Sequence, residues 1–80
     1  MPYIKEDARK ELGRIRVPVN AGELNYYITT VCKRYLETNG EKYQTYNDIV
    51  GALEGCKLEL YRRKIGPYED IKIKENGDVF

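Results

Sequence analysis

Residues 58–70 read LELYRRKIGPYED, and within them Arg62, Arg63 and Lys64 stand between Tyr61 and Tyr68. Cations beside aromatic rings are the parts of a single-strand nucleic-acid site, where guanidinium and ammonium groups meet phosphates and rings stack on bases. Lys57, Tyr61, Arg62, Arg63, Lys64 and Tyr68 are therefore the set that a nucleic-acid reading uses. A structural account explains the same cluster. Helix positions advance by about 100° per residue, so the three cations fan around a helix rather than forming one flat patch. They precede Gly66-Pro67 and so fall in a last turn, where positive charge offsets the negative end of the macrodipole. Glu59 reaches both arginines at i+3 and i+4. The structural account is the favoured one. Further upstream, Arg9, Lys10, Arg14 and Arg16 alternate with Glu6, Asp7 and Glu11, as on a solvated helix face.

Enzyme chemistry is thinly supplied. There is no histidine, which removes Ser-His and Cys-His nucleophiles, imidazole bases and His-held metals together. A Mg²⁺ site of the kind used by all-α nucleotide pyrophosphatases needs two pairs of acids, each one turn apart, on facing helices. Glu54 and Glu59 are five residues apart, about 140° around the helix, and Glu23 and Glu37 stand at opposite ends of theirs. Lys57 falls among apolar positions. A desolvated amine there would be a nucleophile, but the simpler reading lays its stem along the core edge, with the ammonium in solvent or paired with Glu54. Cys32 and Cys56 lack CxxC spacing; they read as small buried hydrophobes, with a bridge between them left open. No catalytic residue, metal or cofactor is assigned.

The elements that must position these residues fit one domain spanning 1–80. A chain of 80 residues buries a smaller fraction of its surface than a larger one, so such domains often lean on staples or partners. The charged share of 34% and apolar share of 41% suit a folded soluble chain. Tyrosine supplies eight of nine aromatics and suits half-buried positions, ring packed and hydroxyl wet. With 14 basic against 13 acidic residues, no global field draws the protein to DNA or anionic lipid. No apolar run approaches the roughly 20 residues that span a bilayer, and MPYIKEDARK is too charged for a signal peptide. A cytoplasmic protein without a membrane partner is expected.

Helical periodicity dominates. In KEDARKELGRI, Ala8, Leu12 and Ile15 form one narrow apolar stripe before Val17-Pro18 breaks the pattern. The second helix has the clearest start: Asn20 at the N-cap, Glu23 at N3, and Val19 with Leu24 placed for a hydrophobic staple. Its face runs through Leu24, Tyr27, Ile28, Val31, Cys32, Tyr35 and Leu36, and Asn39-Gly40 supplies a left-handed stop. The third helix is expected to start at Thr45 with Asp48 as a weaker box partner, to carry Tyr46, Ile49, Val50, Leu53, Leu60 and Tyr61 on one face, and to end near Ile65. The tail offers two readings. Asn76-Gly77 and the alternation of Ile71 and Ile73 suggest a β-hairpin; Pro67 with Glu69 and Asp70 suggests a short helix, which is favoured.

Gly51 and Gly55 share the face opposite the main stripe, with Leu58 and Arg62 extending it. Each mid-helix glycine costs about 1 kcal/mol relative to alanine, so a second backbone is expected to approach there. It would come from the first helix or from a symmetry mate.

ELNYYIT (23–29) followed by YNDIVGALEGCKLELYRRKIGPYEDIKIKENGDVF (46–80) resembles a family of short proteins spread through bacteria and their phages. The blocks N-Y-x-I-T, A-L-E-x-x-K-L-E-x-Y-R-R and P-Y-E-D…N-G-D-V carry the resemblance over residues 23–80. The family has no established activity, so the resemblance implies a setting and no mechanism.

The expected architecture is all-α, a small three- to four-helix bundle with a C-terminal hairpin as the minor alternative. The second and third helices bury their apolar sides against each other, the first lies across them, and the tail folds back. The leading function is a non-enzymatic, self-associating interaction protein, a homo-oligomer or the binder of a protein partner, using Gly51, Gly55, Leu58 and Arg62. A small nucleic-acid-binding accessory protein is the alternative, and a metal-assisted nucleotide enzyme is the weakest of the three.

Overall fold

The computed structural model describes residues 3–13 and 16–80. It is all helical: α1 (Glu6–Leu12), α2 (Ala21–Asn39), α3 (Tyr43–Leu60), a π-helical turn (Tyr61–Ile65) and α4 (Gly66–Asn76). No strand occurs among the described residues, so the β-hairpin alternative for the tail is overturned.

The α2 start follows the sequence closely. The Asn20 side chain accepts from the Glu23 backbone N–H at 2.8 Å, and the Glu23 carboxylate accepts in return from the Val19 N–H at 3.2 Å. This reciprocal pairing satisfies two donors that a helix start otherwise leaves orphaned. The staple contributes little, because Val19 stays 73% exposed. At the other end Gly40 takes φ +89° and donates to the Leu36 carbonyl, while the Asn39 side chain caps the Tyr35 carbonyl. Residues 40–42 then return the chain into α3, forming an αα-hairpin.

The start of α3 corrects the expectation. It begins at Tyr43 with Lys42 in the N-cap place and no side-chain cap. Thr45 is inside the first turn, and at 1% exposure it is the one buried residue among those described. Asp48 serves elsewhere, accepting from the Tyr35 hydroxyl at 2.9 Å and the Gln44 amide at 2.7 Å.

Gly66-Pro67 does not stop the helix. The backbone stays in the right-handed α region through Leu60, Tyr61, Ile65 and Gly66. Residues 43–76 therefore form one rod, about 50 Å long at about 1.5 Å per residue, which accounts for the 49 Å long axis of the molecule. A proline inside an α-helix lacks a donor and drives its ring into the carbonyl four residues back. Here the preceding turn is widened, with the Gly66 N–H bonded to the Tyr61 carbonyl, five residues back. The wider register gives the ring the room that an α turn denies it. The tail thus continues outward instead of folding back, and Gly77, at φ +90°, ends it.

Packing is sparse. Among the described residues only α2 and α3 pack as separate elements; there α1 lies against no other helix, and α4 touches only the π turn it grows from. The expectation that α1 lies across the hairpin is overturned for the described residues; Arg14 and Ile15, part of that reading, lie outside them. No apolar side chain among those described is buried. The radius of gyration is 16.4 Å, against about 12 Å for a compact chain of this length.

Candidate interaction surface

The face between α2 and α3 is an open apolar groove of ≈ 330 Å³. From α2 come Tyr27, Ile28, Val31, Cys32 and Tyr35; from α3 come Ile49, Ala52 and Leu53. The i, i+3, i+4 spacing of the sequence brings these residues to one side of each helix, and the short connection turns the two sides toward each other. They meet without closing. Leu24, Ile28, Val31, Tyr35, Leu53 and Leu60 remain between 38% and 53% exposed. The expectation that the two faces bury one another is therefore met in orientation and not in depth: one neighbouring helix covers one flank of each side chain. Asp48 is the charged member of the groove. Its bonds to Tyr35 and Gln44 satisfy it, and its carboxylate raises the Tyr35 hydroxyl above the usual tyrosine range, chiefly through that hydrogen bond.

A second, more polar groove of ≈ 520 Å³ runs along the flank of α2 beside Arg16 and Pro18. Arg16 bridges to Glu23 at 3.0 Å beside it, joining the segment before α2 to the partner of the Asn20 cap.

The cation cluster is engaged in local pairs. One oxygen of Glu59 takes the Arg62 guanidinium at 2.8 Å and that of Arg63 at 3.6 Å. The Tyr3 hydroxyl donates to the same carboxylate from the far end of the chain. That bond, ahead of the two arginines, holds the Glu59 carboxyl below the usual carboxylate range. Lys57 pairs with Glu54 at 3.3 Å, as the sequence suggests. The Glu69 carboxylate raises the Tyr61 hydroxyl, a link that spans the π turn. Tyr68 carries the Lys72 ammonium 5.6 Å from its ring centre, so one ring face is shielded. Of the nucleic-acid set Lys57, Tyr61, Arg62, Arg63, Lys64 and Tyr68, only Lys64 has no partner among the described residues.

Gly51 and Gly55 face open space, with no atom beyond the adjoining backbone of their own helix within 4 Å of where a Cβ would stand on either. No segment described here supplies the second backbone that their spacing suggests. Leu58, beside them, is exposed. The cysteines are free, Cys32 half-buried in the groove and Cys56 exposed, which corrects the expectation of two buried thiols. Sequence reasoning missed the Tyr35–Asp48–Gln44 group and the Tyr3–Glu59 bond. A tyrosine inside the apolar stripe of α2 was the available signal for the first; nothing local signals a contact 56 residues apart.

Fold and surface together define a small all-α domain: a helical hairpin whose second arm extends as a long rod. Among the described residues no helix is long and apolar enough to cross a membrane. The chain belongs to the family described as Domain of unknown function (DUF6899), which matches residues 1–79. The match takes in α1 and the segment after it, beyond the blocks that begin at Glu23. No curated protein and no solved structure matches the chain.

Proposed function

We propose that this protein is a non-enzymatic, self-associating interaction module. The observation that carries the reading is its surface. The chain exposes 7520 Å², whereas a compact protein of 9.4 kDa exposes about 5,000 Å². The excess of about 2,500 Å² per chain goes with apolar side chains left exposed along the helices and in the segments that flank them, the α2 and α3 stripes among them being covered on one flank only. Half-exposed Leu, Ile and Val along two adjoining helices form a contiguous patch, the mark of an interaction site. Two surfaces are open to a partner. One is the groove of α2 and α3; the other is the face of Gly51, Gly55, Leu58 and Arg62, where two glycines leave room for another backbone to approach closely.

Sedimentation across a range of micromolar concentrations tests the reading. The expected result is a mass that rises to a small integer multiple of the chain. A compact, well-folded monomer at every concentration would rule it out.

A further inference from the structure

Resting on the self-association reading, we infer that the occupant of the α2–α3 groove is a second copy of this chain. The groove closes a four-helix core from two hairpins, and folding is coupled to that closure.

Three observations carry this. The first is area. Each chain carries an excess of about 2,500 Å², shared among the half-covered seams of α2 and α3, the isolated α1 and the rod beyond Leu60; pairing two seams along the lengths of α2 and α3 draws on part of it, and obligate homodimers bury about 2,000 Å² or more. The second is spacing. Leu24, Ile28, Val31 and Tyr35 step by 4, 3 and 4, and Tyr46, Ile49, Leu53, Cys56 and Leu60 step by 3, 4, 3 and 4. That alternation is the seam pattern of helices that pack nearly parallel in bundles. A seam side chain in a four-helix bundle is flanked by its own hairpin partner and faced by the second pair. These residues have the first kind of cover and lack the second, which is why they remain near half exposure. The third is charge. A second copy brings the same near-neutral surface, +1 per chain, so repulsion is weak. The groove's one carboxylate, Asp48, already holds two donors and goes into the interface paired.

Coupling follows from the lack of a core among the described residues. With Thr45 the one buried residue among those described, the separate chain has little to offset the entropy of ordering its helices. Melting should therefore depend on concentration, because association stabilises only the folded state.

The test compares sedimentation and helical circular dichroism for the wild type and for Val31→Glu, Leu58→Glu and Gly51→Leu. Val31→Glu places an unpaired charge in the seam and is expected to weaken association on the order of a hundredfold or more. Leu58→Glu and Gly51→Leu, on the opposite face of α3, should leave the dimer intact. Wild-type Cys32, mapped by peptide mass after maleimide treatment, should become protected as the protein is concentrated. If Val31→Glu does not fold at any concentration, this protection decides: a Cys32 that labels freely in the dimer overturns the inference. A dimer that survives Val31→Glu and is lost in Gly51→Leu moves the contact to the glycine face, overturning the inference while self-association stands. A wild type that melts identically at all concentrations as a folded monomer overturns both.

Discussion

Glu59 gathers the Tyr3 hydroxyl and two guanidiniums on one carboxylate, and that arrangement decides what the cation cluster can do. Both guanidiniums keep free donors, but the carboxylate beside them offsets their positive charge and weakens their pull on a phosphate. Titration with single- and double-stranded oligonucleotides at low salt is therefore expected to be flat; tight binding that falls steeply with salt would restore the nucleic-acid reading. The same carboxylate sets a pH dependence. Its folded pKa lies below the unfolded value, so its contribution is fully present above the ordinary carboxylate range near 4.3. It is lost as pH falls through the lowered folded value. Tyr3 ring resonances should shift toward those of a free tyrosine in that acid window. The Glu59→Gln variant should show the released position already at neutral pH; unchanged Tyr3 resonances in that variant would refute the tether.

At the scale of elements, the hairpin depends on how its helices begin and end. Asn20→Ala removes the acceptor for the Glu23 N–H and should cost about 1 kcal/mol, read from the denaturant midpoint. Gly40 holds a backbone conformation nearly closed to other residues, so Gly40→Ala should cost about 1–3 kcal/mol and loosen the turn between α2 and α3. Gly51→Ala and Gly55→Ala predict the reverse. With open space around both, each should strengthen α3 by about 1 kcal/mol. A loss instead would mean that a partner's backbone lies there. The π turn makes the same point about proline: Pro67 is carried inside a continuous rod because the turn before it is widened.

For the whole molecule, the governing fact is that the described residues of one chain do not enclose a core. Its elements are well formed locally, with caps, stops and ion pairs at i, i+3 and i+4, yet its surface and radius exceed those of a compact chain of its mass. Small-angle scattering should accordingly report a particle of at least twice the chain mass under conditions where the helices are formed. A monomer with a radius near 16 Å and full helicity at high dilution would show that the rods stand alone.

Much of the local structure was legible in the residues themselves. Asn20, Glu23 and Gly40 mark the limits of α2, and the spacing of Leu24, Ile28, Val31, Ile49 and Leu53 specifies which sides face inward, because cap chemistry and helical periodicity act over a few residues. The all-α class and the pairing of Lys57 with Glu54 follow from the same short range. Three features depended on the three-dimensional arrangement: the passage of the rod through Pro67, the separation of α1 from the hairpin, and the half-open state of the groove. Each turns on whether distant surfaces meet, or on a carbonyl moved by one helical register, and periodicity along a chain carries no term for either. Sequence determined the apolar sides of the two helices; only the tertiary structure decided that a single chain leaves them half in water, since two rods can cover one flank of a seam but not its front.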